Sequence, residues 1–213
     1  MAKSNHQIFF IRGGESFDNK EQFYEYLRTR PLDAKKGYRS WRDWMEWTLG
    51  ETFDSYVPAM PNKQWADYYA WKIWFEKYLP LIKKDKKVKL ILVGTSLGAT
   101  FLIKYLSENN LPKHVDQIHL VCPCIDDEGL VGEAGAKEGV GNFKIDLQKV
   151  KNIESKTDYI FIYHSKDDPW VPINHSRRLI KYFKNAKLLE FENRGHFFQP
   201  TFMELLENIN SHL

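Results

Sequence analysis

The chain has 213 residues, of which 43% are hydrophobic and 28% are charged, a composition typical of a globular protein with a full core. A net charge of +3 is too small to indicate nucleic-acid binding, and no apolar run approaches the roughly 20 residues that span a bilayer. The N-terminus has no apolar signal-peptide region. We therefore expect a single cytoplasmic domain over residues 1–213, with neither nucleic acid nor membrane as a partner.

Six short runs of β-type residues alternate with segments of helical spacing. The runs cover 7–12, 53–58, 88–93, 117–122, 159–164 and 187–191. Strands that alternate with helices predict an α/β fold of three layers, in which helices cover both faces of a mostly parallel six-stranded sheet. Right-handed crossovers favour the strand order 2-1-3-4-5-6.

The first predicted strand ends in Gly13 and Gly14, which let the backbone approach a ligand closely. A phosphate-binding loop is the alternative, but the glycine spacing of the common phosphate-binding motifs is absent here. Arg12 and Glu15 flank the two glycines and would favour a charged group on the substrate.

Residues 19–82 are rich in aromatic side chains at helical spacing. We predict helices over 22–27, 38–49 and 64–82, with Asn62 capping the third. Six of the seven tryptophans fall between Trp41 and Trp74. Their rings would pack these helices onto the sheet, or some of them would line an apolar acyl- or aryl-binding pocket.

The third predicted strand leads into Gly94-Thr95-Ser96-Leu97-Gly98 and then into a helix over 99–106. A strand, Gly-x-Ser-x-Gly and a helix in this order are typical of a nucleophile elbow, in which the serine occupies a strained turn. Glycine fits positions 94 and 98 because larger side chains would clash with neighbouring backbone. We predict that Ser96 is a nucleophile; a purely structural Gly-Ser turn is the alternative.

The fourth predicted strand is followed by Cys122 and Cys124, whose spacing suits neither a structural disulfide nor a four-ligand zinc site. We expect buried or loop thiols. Residues 128–144 are polar and glycine-rich and follow at the same sheet edge as Ser96. They predict a flexible rim or small lid over the site, with a plain surface insertion as the alternative.

Two aspartates follow the fifth predicted strand, where the acid of a catalytic triad belongs. Asp168 precedes the rigid segment Pro-Trp-Val-Pro, so we predict that Asp168 is the acid and that Asp167 is a turn residue. Asp126 or Asp127, after the fourth strand, is the alternative acid.

His196 follows a glycine in the loop after the last strand and completes the chain order Ser, Asp, His at successive strand ends. A structural histidine is the alternative at this position, and His164 is interpreted as structural. His196 would take the proton of Ser96, and Asp168 would orient the imidazole. Helices are expected over 174–183 and 201–213.

Two backbone N–H groups would bind the oxyanion that forms when the serine attacks. Leu97 opens the helix after the serine, so its N–H has no intrahelical acceptor. Gly14 N–H is the predicted second donor, and Glu15 N–H is the alternative. This chemistry requires no cofactor and no metal, and its partner is a small-molecule acyl substrate.

On these motifs the chain resembles the α/β-hydrolase superfamily and, within it, the small serine hydrolases of the retinoblastoma-binding-protein-nine type. The resemblance covers nearly the whole chain, including residues 41–47, the Val-Pro-Ala-Met-Pro segment 57–61, the aromatic helix 69–78, and 94–98, 167–169 and 195–197. It implies a compact hydrolase with little cap and a triad of Ser96, Asp168 and His196. The chain departs from many hydrolases in the first loop, where Arg12-Gly13 replaces His-Gly.

The sequence therefore predicts a serine hydrolase of small carboxylic esters or related acyl compounds. A hydrolase fold that binds a protein partner without turnover is one alternative, since a fold does not dictate a function. A serine amidase or peptidase is another, because it would use the same residues and differ in its pocket and leaving group.

Overall fold

The computed structural model describes residues 5–30, 40–131 and 139–213. Six strands form one sheet in which every neighbouring pair is parallel. The strands are β1 (His6–Ile11), β2 (Phe53–Tyr56), β3 (Leu90–Thr95), β4 (Val115–Val121), β5 (Thr157–Ser165) and β6 (Lys187–Phe191). The order β2-β1-β3-β4-β5-β6 confirms the predicted architecture and strand order. The predicted strand boundaries differ from these by at most two residues.

Helices cover both faces of the sheet, because alternate side chains of each strand point to opposite sides. The described α-helices are α1 (Lys20–Thr29), α2 (Trp41–Leu49), α3 (Tyr68–Glu76), α4 (Leu97–Glu108), α5 (Leu147–Val150), α6 (Asn174–Leu179) and α7 (Met203–Asn210). Ile8 and Phe10 pack with residues of α2 and α7, whereas Phe9 and Ile11 pack with residues of α3 and α4. The three predicted layers are therefore present.

The central strand β3 is buried on both faces, since Leu90 to Val93 expose at most 1% of their surface. Such continuous burial is expected of a parallel strand with helices on either side. Trp41 and Trp71 are fully buried, one in the apolar core on each face. These two rings pack the helices onto the sheet, whereas Trp47 is 82% exposed.

The predicted helix over 64–82 is wrong in extent. Its α-helical part is only α3, and short 3-10 turns lie on either side of it. Asp67 caps this helix through a hydrogen bond of 2.8 Å from Ala70 N–H to its Oδ1. The predicted cap, Asn62, instead adopts a left-handed conformation with φ 47°. Asp67 is the cap because its carboxylate lies next to the first helical turn and accepts a hydrogen bond from an N–H group that has no acceptor within the helix.

The predicted helix over 38–49 begins at Trp41 in the described residues, and its positions 38 and 39 lie outside them. None of the helices in the described residues has the length and apolar character needed to cross a membrane.

Candidate active site

Ser96 lies between β3 and α4 with φ 53° and ψ −128°, a conformation that is rare for a residue with a side chain. Two glycines make this turn possible. A Cβ on Gly94 would lie 2.6 Å from Cα of Ala99, and a Cβ on Gly98 would lie 2.2 Å from the carbonyl oxygen of Ile11. The sharp strand-to-helix turn expected from the motif is therefore present.

Asp168 and His196 are joined by a hydrogen bond of 2.8 Å between Oδ2 of the aspartate and Nδ1 of the histidine. The Asp168 side chain is fully buried. Its other oxygen, Oδ1, accepts the backbone N–H groups of Trp170 and Val171, each at 3.0 Å. These two bonds fix the carboxylate, so that Oδ2 faces the imidazole. The Pro-Trp-Val-Pro turn thus orients the aspartate that precedes it.

His164 is buried beside the same carboxylate, with its Nε2 3.6 Å from Asp168 Oδ2. Its Nδ1 lies 2.6 Å from Ser176 Oγ, and its Nε2 lies 2.8 Å from the carbonyl oxygen of Val171. Burial lowers the pKa of His164 to about 4, so the ring is neutral near pH 7. A neutral ring donates from Nε2 to the Val171 carbonyl oxygen and accepts at Nδ1 from the Ser176 hydroxyl. This bonding agrees with the structural role expected for His164.

Asp167 is exposed and tethers the loop that carries His196. Its Oδ1 accepts the Ser165 hydroxyl at 2.5 Å and the Gly195 N–H at 2.9 Å. Both bonds lower the pKa of Asp167, the Ser165 hydroxyl bond most strongly. This is the turn-stabilising position that the sequence predicts for the first of the two aspartates.

The alternative acids after β4 have other partners. Asp126 forms an ion pair with Arg178, and the Asp127 carboxylate accepts the N–H of Val140 at 2.8 Å. Neither carboxylate is hydrogen-bonded to His196, whose carboxylate partner in the described residues is Asp168.

Cys122 lies on the other side of the imidazole, with Sγ 3.6 Å from His196 Nε2. Both cysteines are buried, as expected from their spacing. Burial raises the pKa of the Cys122 thiol, which therefore stays protonated. Ligand atoms of Cys122, Asp168 and His196 lie within 4.8 Å of one another, the only such group among residues 5–30, 40–131 and 139–213. A protonated thiol and a carboxylate that already accepts three hydrogen bonds are poor metal ligands.

Ser96 and His196 line one cleft of about 450 Å³. The described residues give Ser96 Oγ no hydrogen-bond partner. An apolar wall of the cleft is formed by Leu130, Val131 and Trp170. The ring centroid of Trp170 lies 4.8 Å from that of His196. None of the tryptophans between positions 41 and 74 is in the described lining of the cleft, which favours their expected packing onto the sheet over the alternative of pocket walls.

The loop after β1 lies directly against the serine, since a Cβ on Gly13 would be 3.0 Å from the serine Cβ. The N–H groups of Gly14 and Leu97 have no acceptor within the part of the chain that the structure describes. Glu15 N–H, in contrast, donates to the carbonyl oxygen of Lys63 at 2.7 Å.

The described ends of the predicted lid reach the cleft. Leu130, Val131 and Gly139 line it, and Val131 N–H donates to the Trp170 carbonyl oxygen at 3.0 Å. Gly139 forms an isolated antiparallel bridge with Ser16. These contacts fit the predicted rim, whereas the centre of the predicted lid, 132–138, lies outside the described residues.

Four cationic side chains also line the cleft, together with a single described carboxylate, that of Glu15. The four are Arg12, Arg30, Arg42 and Lys63. Of these four cations, only Arg12, together with Glu15, is predicted from the sequence to favour a charged group on the substrate. The other three come from α2 and from connecting segments, whose positions relative to the sheet edge cannot be read from hydrophobic periodicity.

The parallel sheet, the strained serine after its central strand and the adjacent Asp168–His196 pair define an α/β-hydrolase. The model of a family described as serine hydrolase matches residues 34–211, and the chain belongs to this family. No protein matches in a comparison with curated proteins.

Solved structures share this fold over nearly the whole chain. The ydeN gene product of B. subtilis is 19% identical, with a TM-score of 0.70 and coverage of 98% of each chain. A meta-cleavage product hydrolase from Pseudomonas fluorescens is 14% identical, with a TM-score of 0.61 over 98% of this chain and 89% of that one. A lipase-esterase related protein from Clostridium acetobutylicum is 12% identical, with a TM-score of 0.59 and coverage of 99% and 96%.

Proposed function

We propose that this serine hydrolase cleaves small carboxylic esters or related acyl compounds through an acyl-enzyme on Ser96, with His196 as the base and Asp168 as its partner. The observation that carries the proposal is the 2.8 Å hydrogen bond between Asp168 and His196 at a cleft that also contains the strained Ser96. A buried carboxylate on Nδ1 is the arrangement that prepares an imidazole to accept a proton at Nε2.

In this mechanism Ser96 Oγ attacks the acyl carbon while His196 Nε2 takes the hydroxyl proton. The Nδ1–H bond to Asp168 holds the required tautomer and stabilises the imidazolium ion. The proton then passes to the leaving group, and water releases the acyl group by the same route in reverse. The bond between Ser96 and His196 forms in the substrate complex, since such bonds are often long before substrate binds.

The tetrahedral oxyanion would accept hydrogen bonds from the N–H groups of Leu97 and Gly14. The alternative donor, Glu15 N–H, is already bonded to the Lys63 carbonyl oxygen, which favours Gly14. One such donor contributes about 3 kcal/mol to transition-state stabilisation. The Gly14 N–H therefore makes the closely packed Gly13-Gly14 segment part of the proposed catalytic site.

A fluorophosphonate probe, which reacts with activated serines, tests the proposal. We expect wild-type protein to be labelled and Ser96→Ala to be unlabelled. Ser16→Ala is the matched control, because Ser16 lines the same cleft but bonds to the Ala66 carbonyl oxygen. It should be labelled like the wild type.

A folded wild-type protein that is not labelled would contradict the proposal and favour a binding function. Turnover of p-nitrophenyl esters of increasing chain length, compared with the matching anilides, then separates an esterase from an amidase.

A further inference from the structure

The cations around the cleft fall into two pairs with different surroundings. Arg12 lies 3.2 Å from carboxylate oxygens of both Asp43 and Glu46. Arg30 lies 3.4 Å from Glu15, the one carboxylate in the described lining of the cleft. The charges of these two arginines are therefore balanced by the protein itself.

Arg42 and Lys63 form no ion pair with any carboxylate of the described residues, although both line the cleft. Arg42 Nε is buried without a hydrogen-bond partner, and its guanidinium lies 5.0 Å from the ring centre of the buried Trp41. The pKa of Lys63 is lowered mainly by burial and, to a smaller extent, by the charge of Arg12. Burial is also the main cause that lowers the pKa of Arg42. The site thus holds two partly desolvated cations that repel each other and have no carboxylate at ion-pair distance among the described residues.

Such an arrangement is unfavourable for the protein alone, because buried charges are normally paired. We propose that the acyl substrate carries a carboxylate in addition to its scissile bond, and that Arg42 and Lys63 bind this carboxylate. The inference rests on the proposed function, since it concerns the substrate that Ser96 attacks.

The two side chains suit this task in different ways. Arg42 presents a planar fork that can donate two parallel hydrogen bonds to a carboxylate, and Lys63 supplies a compact charge. Both act inside a cleft, where charge interactions are stronger than in bulk water. The same cations would oppose a substrate with a positive charge, so the site would select by sign as well as by shape.

Matched aryl esters, followed by the absorbance of the phenol that each releases, test the inference. On the acyl side, 4-nitrophenyl hydrogen adipate is compared with the neutral 4-nitrophenyl hexanoate and with the cationic 6-(trimethylammonio)hexanoate ester. On the leaving-group side, 4-acetoxybenzoate is compared with its methyl ester. In at least one set, we expect the anionic ester to have a kcat/KM at least about tenfold above that of its neutral partner, because a desolvated charge pair can contribute this much. The cationic ester should be the poorest substrate. The set that shows the preference identifies the side of the scissile bond on which the carboxylate lies.

Charge-removing variants assign the preference to residues. Arg42→Gln and Lys63→Gln should each lower the anionic-to-neutral ratio of kcat/KM by about tenfold, and Arg42→Lys should retain part of it. Lys86→Gln and Arg28→Gln remove exposed charges that are not in the lining of the cleft, and they should keep the wild-type ratio.

Wild-type protein that cleaves the neutral esters but shows no anionic preference in either set would overturn the inference and leave the proposed function intact. An anionic preference that survives both Arg42→Gln and Lys63→Gln would overturn the assignment to these two residues. Failure of every ester, together with absence of fluorophosphonate labelling, would instead refute the proposed function.

Discussion

The backbone of Gly98 lies against the carbonyl oxygen of Ile11, so closely that a Cβ at position 98 would be 2.2 Å from that oxygen. This contact joins the first turn of α4 to the end of β1. It therefore brings the loop that contains Gly13 and Gly14 beside the turn of Ser96. The distance between Ser96 and the proposed oxyanion donor Gly14 therefore depends on position 98, where no side chain larger than the hydrogen atom of glycine fits.

Replacing Gly98 by alanine should destabilise the protein by about 3 kcal/mol, the cost of overpacking a rigid contact. Ester turnover should also fall, because the loop after β1 must move away from the serine. Gly50→Ala is the control: Gly50 has φ 50° and ψ −139° but nothing within 4 Å of its added Cβ. It should cost about 1 to 3 kcal/mol of backbone strain and leave ester turnover unchanged. Urea unfolding and turnover are measured for both variants, and wild-type turnover in Gly98→Ala would show that the Gly98 contact can relax.

The two adjacent aspartates provide a test of the acid. Asp168→Asn should lower kcat by about 10³- to 10⁴-fold, because an amide cannot hold the imidazole in the required tautomer. Asp167→Asn should have a much smaller effect, since an amide oxygen can still accept the Gly195 N–H. The rate of p-nitrophenyl ester hydrolysis, with circular dichroism as a check on folding, distinguishes the two. Full activity of Asp168→Asn would return the acid to Asp126 or Asp127.

The thiol beside His196 should be unreactive in the native protein. Cys122 is buried and protonated, and alkylating reagents attack the thiolate. We expect iodoacetamide at pH 8 to leave Cys122 unmodified, whereas Cys122 should be alkylated in urea. Mass spectrometry counts the adducts. Rapid native alkylation of Cys122 with loss of activity would show that this thiol is accessible from the cleft.

Buried histidines should make the protein less stable as the pH falls from 7 to 5. Burial lowers the pKa of His119 to about 3 and that of His164 to about 4. Each stays neutral in the folded state while the unfolded chain takes up a proton below its ordinary pKa of about 6.5. The full stability is present above that value and is lost progressively toward pH 4, with about 2 kcal/mol per histidine gone at pH 5.

His119→Gln should therefore remove one histidine's share of this pH dependence. Urea unfolding at pH 7 and pH 5 measures it, above the range in which most carboxylates titrate. His114→Gln, which replaces a half-exposed surface histidine, should keep the wild-type difference. An unchanged difference in His119→Gln would mean that His119 is not kept neutral by folding.

Much of the fold followed from local patterns. Continuous apolar runs such as 88–93 predict buried parallel strands, and their alternation with helices restricts the topology to the observed order. Helix ends were less predictable, because the cap at Asp67 and the 3-10 turns around α3 depend on individual hydrogen bonds. The aromatic spacing of residues 64–82 is the same whether the helix is continuous or interrupted.

The sequence by itself determined the candidate Ser96, Asp168 and His196, because a strand–turn–helix motif and successive strand ends are local features whose order along the chain is visible. Only the tertiary structure decided which groups surround them. Glu15 N–H is bonded to Lys63, Cys122 lies against His196, and Arg42 joins Lys63 at the cleft without a described carboxylate partner. These relationships connect segments distant in sequence, and packing, which no local pattern encodes, sets the distances between them.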